Sequence, residues 1–218
     1  MEKIKALAKY LGVDEQDVVE TSYDSNSFET EEGEYLVLTE DEAWEYTRDY
    51  IDGCIDDLGL KDSFTQNFFE WILDNAIDDY FIENIIRDSN ESLINDLKDD
   101  EGGEFENRLI EELYDTGYLS DDDFEVDEEG EIDYSNLKSS IDLDSIESDY
   151  LDYLVDNDDI TNIMSEDELA DAIVQNSAYN LDKITDEAIS WDGKAHFLAT
   201  YDGDEIELDD DLLAYRIN

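Results

Sequence analysis

The longest stretch of the sequence without a basic residue, Ser139–Asp182, runs for 44 residues and carries thirteen carboxylates. It is not a plain acidic tail, because Ile146, Tyr150 and Leu154 recur at the spacing of one helix face. The aspartates of this predicted helix lie on a different side: Asp149, Asp152 and Asp156. A helix with one apolar side and one unneutralised acidic side must pack against a core while it displays negative charge.

The composition indicates a folded chain. Disordered acidic chains are poor in aromatic residues and rich in proline, whereas aromatic residues make up 11% of these 218 residues. Proline is absent, although average usage would give roughly eleven. The length allows two modest domains, predicted as residues 1–118 and 119–218, or one domain.

The balance of charge limits the partners. Sixty-seven acidic residues face twelve basic ones, which gives a formal net charge of −55. That charge equals the charge on roughly 94 Å of B-DNA, at one phosphate per ~1.7 Å of axis. Such a chain does not bind nucleic acid directly, but it can bind proteins whose basic grooves receive nucleic acid.

The periodicity predicts an α+β fold that is mainly helical, with a small β element near each end of the sequence. A short amphipathic helix is predicted over Glu2–Leu11, followed by strands within residues 18–38. Thr39 and Glu42 have capping-box spacing and should begin a helix that ends near Gly59. The apolar residues of that helix form one stripe: Trp44, Ile51, Ile55 and Leu58.

The rest of the sequence repeats these signals. A long helical pattern follows Ser63 and should break near Asn75. Ser165 and Glu168 predict a second capping box, and a further helix is predicted near residues 181–189. The period then changes, so that residues 195–201, 205–208 and 212–217 are predicted as strands of an antiparallel hairpin or meander.

Several predicted helices carry an acidic stripe beside the apolar one. On the helix after Thr39, four acids recur at i, i+4, i+7 and i+11, which places them within about 60° of one another at 100° per residue. Helices usually place a base opposite such acids, because like charges at i, i+4 cost a few tenths of a kcal/mol. The carboxylates predicted to bind a partner are Glu45, Asp49, Asp52, Asp56, Glu70, Asp74, Asp78, Asp149, Asp152, Asp156, Asp158 and Asp159.

No set of residues predicts catalysis. His196 is the only histidine and lies in an apolar run, which favours a structural role on a strand. Cys54 lies beside Ile55 on a predicted helix, which favours a small buried residue. Residues 125–136 resemble a calcium-binding loop but lack the aspartate at its first position and the bidentate glutamate at its twelfth. We therefore predict no enzyme activity, no cofactor and no specific metal site.

Cellular location is predicted from what the sequence lacks. A single cysteine, Cys54, allows no intrachain disulfide and fits a reducing compartment. The first residues, MEKIKALAKYLG, contain no continuous apolar core of a signal peptide. No run approaches the ~18 apolar residues that a membrane span needs. The expectation is a cytoplasmic protein of a bacterial cell, with no membrane contact.

Two resemblances give this pattern a context. The residues GKAHFLATYDGDE at 193–205, closed by Tyr215-Arg216-Ile217-Asn218, resemble endings of small acidic proteins of tailed phages and mobile elements. In its acidic helix stripes and net charge, the whole chain resembles the DNA-mimic inhibitors of phages, the antirestriction and anti-CRISPR proteins. That resemblance implies a non-enzymatic inhibitor that occupies the nucleic-acid groove of a host defence enzyme, either a restriction enzyme or a CRISPR effector.

Other interpretations of the charge stay open at this point. The chain could be a structural protein that binds a basic partner, such as a capsid or histone-like protein. It could carry a salt-adapted acidic surface, although adaptation to salt does not account for the absence of proline. A role as an acidic chaperone or cation buffer is a further alternative, and a homodimer is compatible with each of them.

Overall fold

The computed structural model describes residues 2–101, 110, 113–115, 117, 119–126, 132–137, 160–209 and 211–218. The chain divides into two compact units. The first unit combines residues 1–77 with residues 170–218, and the second contains residues 78–169. The first unit is therefore discontinuous in sequence, and its limits differ from a boundary at residues 118 and 119.

A five-stranded antiparallel sheet forms the centre of the first unit. Its strand order is β1 (Val19–Glu20), β2 (Ser27–Thr30), β3 (Gly33–Thr39), β7 (Leu212–Arg216) and β6 (Glu205–Glu207). Strands from the two ends of the sequence meet where β3 pairs with β7, with Val37 opposite Ala214. The predicted α+β class is confirmed, and the two predicted β elements join in one sheet.

Helices cover both faces of this sheet. Helix α1 (Glu2–Leu11) buries Leu7 and Ala8 against Val37 and Ala214 on one face. Residues alternate between the faces of a strand, so the buried Leu36 and the other alternate side chains of β3 and β7 point to the opposite face. There, helix α2 (Glu40–Leu58) contacts β3 and β7.

The predicted capping box begins α2. The Thr39 hydroxyl accepts a hydrogen bond from the Glu42 N–H at 3.2 Å, and the Glu42 carboxylate accepts from the Thr39 N–H at 2.8 Å. Lys3 adds an ion pair to Glu42 at 2.5 Å. Burial alone would raise the pKa of Glu42, but the hydrogen bonds from Lys3 and Thr39 lower it overall. The helix end near Gly59 is also confirmed, whereas Leu58 is 59% exposed and does not belong to the buried stripe.

The long helical pattern after Ser63 breaks where the sequence predicts. Helix α3 (Gln66–Asn75) buries Phe68, Phe69 and Ile72, and helix α4 (Asp79–Glu101) begins after a short connection. Ser63 does not cap α3, because its hydroxyl donates to the carbonyls of Cys54 and Gly59 at 2.8 and 2.7 Å. The N-cap residue is Thr65, whose side chain makes no capping hydrogen bond.

Four further helices lie between residues 160 and 198. They are α5 (Ile160–Ile163), α6 (Glu166–Gln175), α7 (Leu181–Asp192) and α8 (Lys194–Leu198). The capping box of Ser165 and Glu168 is confirmed, with the Glu168 carboxylate 2.9 Å from the Ser165 N–H. In the second unit, β4 (Phe124–Val126) pairs with β5 (Ile132–Leu137) in a two-stranded antiparallel sheet.

One predicted strand is wrong. Residues 195–201 were expected to extend into a strand, but residues 194–198 form the short helix α8. The backbone at Gly193 has a φ of 75°, which ends α7 and allows a new helix to begin in another direction. Three consecutive residues, Phe197, Leu198 and Ala199, are buried. Packing around α8 therefore overrides the strand preference of this apolar run. The hairpin of β6 and β7 is confirmed.

A cluster of contacts around Arg216, which we call the Arg216 clasp, fixes β3 beside β7. The Arg216 guanidinium donates to the carbonyls of Asn218 and Glu32 and lies 4.1 Å from the centre of the Tyr201 ring. The Ile217 N–H donates to the Glu34 carbonyl at 2.9 Å. Gly33 has a φ of 145°, and a Cβ at this position would lie 2.3 Å from the Asn218 carbonyl oxygen. The clasp thus requires glycine at position 33.

Candidate acidic interaction surface

Helix α2 presents the most regular acidic surface of the described residues. Glu45, Asp49 and Asp56 are exposed, and Asp52 is half-buried. At 100° per residue these four acids lie about 120–180° from the buried Ala43 and Thr47, and about 60–160° from the buried Ile51 and Ile55. We call Glu45, Asp49, Asp52 and Asp56 the acidic face. The core of the first unit therefore fixes the direction in which the acidic face points.

The acidic face contributes little to the hydrogen bonds that hold the described part of the fold together. Asp49 lies 3.9 Å from Arg48, which is the one base of α2. Among the described residues, the other three carboxylates have neither a hydrogen-bonding partner nor a basic partner within 4 Å. In contrast, Glu42 on the first turn of the same helix contacts Lys3 and Thr39. Carboxylates of the same helix therefore differ in whether they form hydrogen bonds and ion pairs within the fold.

Helix α7 extends the negative charge beside α2. The Arg48 guanidinium donates to Asp182 at 2.7 Å, and the Trp44 indole N–H donates to Asp186 at 2.7 Å. The hydrogen bond to Asp182, together with the charges of Asp52 and Asp49, raises the pKa of Arg48. Sequence spacing did not predict Asp182 and Asp186 at this surface, because they lie more than 130 residues from their partners on α2.

The pKa of Tyr179 is raised partly by the negative charge of the acidic face. Burial raises the pKa of the Tyr179 phenol first, and the charges of Asp52 and Asp56 raise it further. The backbone of Tyr179 is fixed by a bridge to Ile77, and the neighbouring Asn180 N–H donates to the Ala76 carbonyl at 2.8 Å. The charges of two carboxylates of the acidic face therefore act on the Tyr179 phenol.

The predicted stripe on α3 is only partly correct. Glu70 and Asp74 are exposed on α3, on the side away from the buried Phe68 and Ile72. Asp78 does not continue this stripe, because α3 ends at Asn75 and Asp78 belongs to the second unit. Its carboxylate accepts a hydrogen bond from the Tyr80 N–H at 3.0 Å at the start of α4. Spacing of four residues across a helix break does not align side chains.

The remaining predicted carboxylates, which are Asp149, Asp152, Asp156, Asp158 and Asp159, lie outside the described residues, as do residues 127–131 of the calcium-like loop at residues 125–136.

Cys54 and His196 line one cavity of about 350 Å³ in the first unit, together with aromatic residues of α2, α3, α7 and α8. Cys54 is half-buried rather than buried, and His196 is exposed on a helix rather than on a strand. No hydrogen bond joins the two side chains. The pKa of Tyr50 is raised, first by the adjacent Cys54 thiol and then by burial. The cavity thus brings a thiol and an imidazole into one lining.

The described residues lack two further features. They contain no group of three or more His, Cys, Asp or Glu side chains with the arrangement of a metal site. None of their helices combines the length and the apolar character needed to cross a bilayer.

Comparisons with protein-family models, with curated proteins and with solved structures find no match for this chain.

Proposed function

We propose that this protein is a DNA mimic that inhibits a nucleic-acid-binding enzyme of a host defence system. The acidic face would occupy the basic groove in which the enzyme holds DNA or RNA. The observation that carries the proposal is the direction and the spacing of four carboxylates on α2, which point away from the core. The resemblance to antirestriction and anti-CRISPR proteins suggests a restriction enzyme or a CRISPR effector as the partner.

The spacing of the acidic face is compatible with one strand of a nucleic acid. Glu45 and Asp56 are eleven residues apart, which corresponds to about 16 Å along a helix. One DNA strand carries about five phosphates over that length, at 3.4 Å each. Four carboxylates on the same length therefore reproduce most of the charge of one strand.

The rigidity of α2 also supports the proposal. A capping box and an ion pair fix its first turn, and its buried side contacts the central sheet. Aspartate side chains carry fewer rotatable bonds than glutamate, so they lose less conformational entropy when a partner fixes them. A rigid array of carboxylates is expected to bind basic side chains better than a flexible acidic chain of the same charge.

The mechanism is electrostatic. Lysines and arginines of the groove release the counterions that they hold when the carboxylates approach, and this release favours binding at low salt. Association is expected to be fast and to slow steeply as ionic strength rises. The protein itself needs no direct contact with nucleic acid.

Competition experiments test the proposal. The purified protein is added to restriction enzymes and CRISPR effectors with labelled DNA, and DNA binding and cleavage are measured. We expect inhibition of at least one enzyme class that additional DNA overcomes. The triple variant Asp49→Lys, Asp52→Lys and Asp56→Lys should lose at least tenfold in inhibitory potency, which corresponds to about 1.4 kcal/mol of binding free energy.

A matched variant distinguishes an effect of the position of the carboxylates from an effect of the net charge. Asp14, Glu15 and Asp17 are exposed on another surface of the first unit, and the Asp14 side chain makes no capping hydrogen bond. Their substitution by lysine changes the net charge by the same amount and should leave inhibition within about threefold of the wild-type value. Equal loss in both variants would exclude the acidic face as the specific site, and no inhibition across the panel would overturn the proposal.

A further inference from the structure

The cavity beside α2 is a second candidate binding site, on another side of the helix from the acidic face. Tyr50 and Cys54 line it, and at 100° per residue they lie about 100–180° from the centre of the acidic face. Its volume of about 350 Å³ lies at the lower end of the range for small-molecule sites. A small ligand could therefore bind here without contact with the acidic face.

Two pairs of aromatic rings in the cavity lining meet at steep angles. The Phe68 and Trp191 rings lie 5.0 Å apart at 87°, and the Tyr50 and Phe197 rings lie 6.0 Å apart at 58°. Phe68 and Phe197 are buried, whereas Tyr50 and Trp191 are about half exposed. The buried rings form an apolar floor, and the exposed rings give a ligand access from solvent.

Electrostatics decide the charge of that ligand. Asp62 and Asp192 are exposed residues of the cavity lining, and the residues that line it include no lysine or arginine. The faces of aromatic rings attract cations within about 6 Å of their centres. An anion would meet two carboxylates here, whereas a cation with an apolar body matches both the rings and the charge.

The position of Trp191 is fixed from outside the cavity. Its indole N–H donates to the Glu187 carboxylate at 2.7 Å, one helical turn earlier on α7. This hydrogen bond satisfies the polar edge of the indole and restricts its rotation. A preorganised ring costs a ligand less conformational entropy than a mobile one.

We propose that this cavity binds a small alkylated ammonium ion through the rings of Tyr50, Phe68, Trp191 and Phe197, with Asp62 and Asp192 providing the negative charge. The proposal does not depend on the DNA-mimic function, because none of these residues belongs to the acidic face. Catalysis by Cys54 is not part of it.

Isothermal titration calorimetry at physiological salt, with choline as the probe, tests this site. The matched probe is 3,3-dimethylbutan-1-ol, which has nearly the same shape as choline but no charge. We expect choline to bind with saturation at one site and at least tenfold more tightly than the neutral alcohol. Equal affinities would overturn the proposal, because they would show a purely apolar cavity.

Two variants distinguish the cavity from general attraction to the charged surface. Trp191→Leu should weaken choline binding at least fivefold, and Asp192→Asn should weaken it several-fold. The control, Asp17→Asn, removes the same charge at an exposed site elsewhere and should have no effect. Choline binding that persists unchanged in Trp191→Leu would overturn the proposal.

Cys54 provides an independent readout. It is the only cysteine of the sequence and lines the cavity, so its reaction with the uncharged reagent N-ethylmaleimide reports access to the site. Choline at saturating concentration should slow this reaction, whereas the neutral alcohol at the same concentration should not. An unchanged labelling rate with choline would place the binding outside the cavity and contradict the proposal.

Discussion

Two arginines of the first unit have opposite surroundings. Arg216 donates to backbone carbonyls of Asn218 and Glu32 and packs over the Tyr201 ring, at the junction of β3 and β7. Arg48 donates to the exposed carboxylate of Asp182 and lies 3.9 Å from the exposed Asp49. The first arginine binds backbone carbonyls at the junction of two strands, whereas the second joins α2 to an exposed carboxylate of α7 and reduces the charge of that surface.

The difference shows where a chain with 67 acidic residues places its twelve basic ones. Arg216 serves the pairing of strands, and Lys3 serves the first turn of α2. The acidic face receives one base at its edge. The fold is therefore expected to depend on the Arg216 clasp and the first turn of α2, and to be insensitive to the acidic face.

The largest effect on stability is expected from a substitution that breaks the Arg216 clasp directly. Gly33→Ala should lower the free energy of unfolding by about 3 kcal/mol, because the added Cβ would lie 2.3 Å from the Asn218 carbonyl and the φ of 145° disfavours alanine. Urea denaturation followed by circular dichroism measures the change. The control is Gly53→Ala in α2, where a Cβ meets nothing within 4 Å. It should stabilise the protein by about 0.5–1 kcal/mol.

The second effect compares the two arginines. Arg216→Met should cost about 1–2 kcal/mol, because it removes the hydrogen bonds to the two carbonyls and the contact with Tyr201. Arg48→Met should change stability much less than Arg216→Met does, because solvent screens an ion pair whose two side chains are 36% and 65% exposed. Thermal melts of both variants give the comparison. A larger loss in Arg48→Met would mean that the ion pair between Arg48 and Asp182 contributes to the fold.

The third effect compares two carboxylates of α2. Glu42→Gln keeps a capping residue but removes the charge that pairs with Lys3, and it should cost about 1 kcal/mol at pH 7. This figure includes solvent screening, because 35% of the Glu42 side chain is exposed. The folded-state pKa of Glu42 is lowered, so its contribution is present above the unfolded pKa near 4.3 and is lost as pH falls through the lower folded pKa.

Unfolding free energies measured from pH 7 to pH 3 test this assignment. The difference between wild type and Glu42→Gln should shrink below about pH 4. Glu45→Gln, on the acidic face, should cause no loss of stability at pH 7. A difference for Glu42→Gln that stays constant over the whole pH range would contradict a role of its charge.

Local signals of the sequence predicted much of the fold. The boundaries of α2 follow from Thr39, Glu42 and Gly59, which act within one turn of the helix ends. The pairing of β3 with β7 joins residues about 180 positions apart, and no local pattern specifies such a contact. The strand predicted for residues 195–201 is wrong for a related reason. The burial of Phe197 and Leu198 depends on tertiary neighbours, which local sequence does not specify.

The candidate site was predictable to the same extent. Helix periodicity alone predicted the direction of Glu45, Asp49, Asp52 and Asp56, because one helix positions all four. Asp182 and Asp186 required knowledge of how α7 packs beside α2. The aromatic cavity was even less predictable from the sequence. Its lining comes from four helices and the connection after α2, so its position depends on how all of them pack.

The smallest expected effect concerns the acidic face itself. The acidic face contains three pairs of like charges at i, i+3 or i, i+4, and each such pair costs a few tenths of a kcal/mol in a helix. Substitution of Asp49, Asp52 and Asp56 by asparagine should therefore raise the free energy of unfolding by about 0.5 kcal/mol in low salt, since asparagine and aspartate have similar helix propensity. In 1 M salt the Debye length falls to about 3 Å, and the gain should disappear. Urea denaturation at both ionic strengths measures the change in the free energy of unfolding.

A loss of stability in either condition would show that these carboxylates contribute to the fold. A gain confined to low salt would show that the native sequence retains a repulsion that it could relieve, as expected if the charge serves a partner.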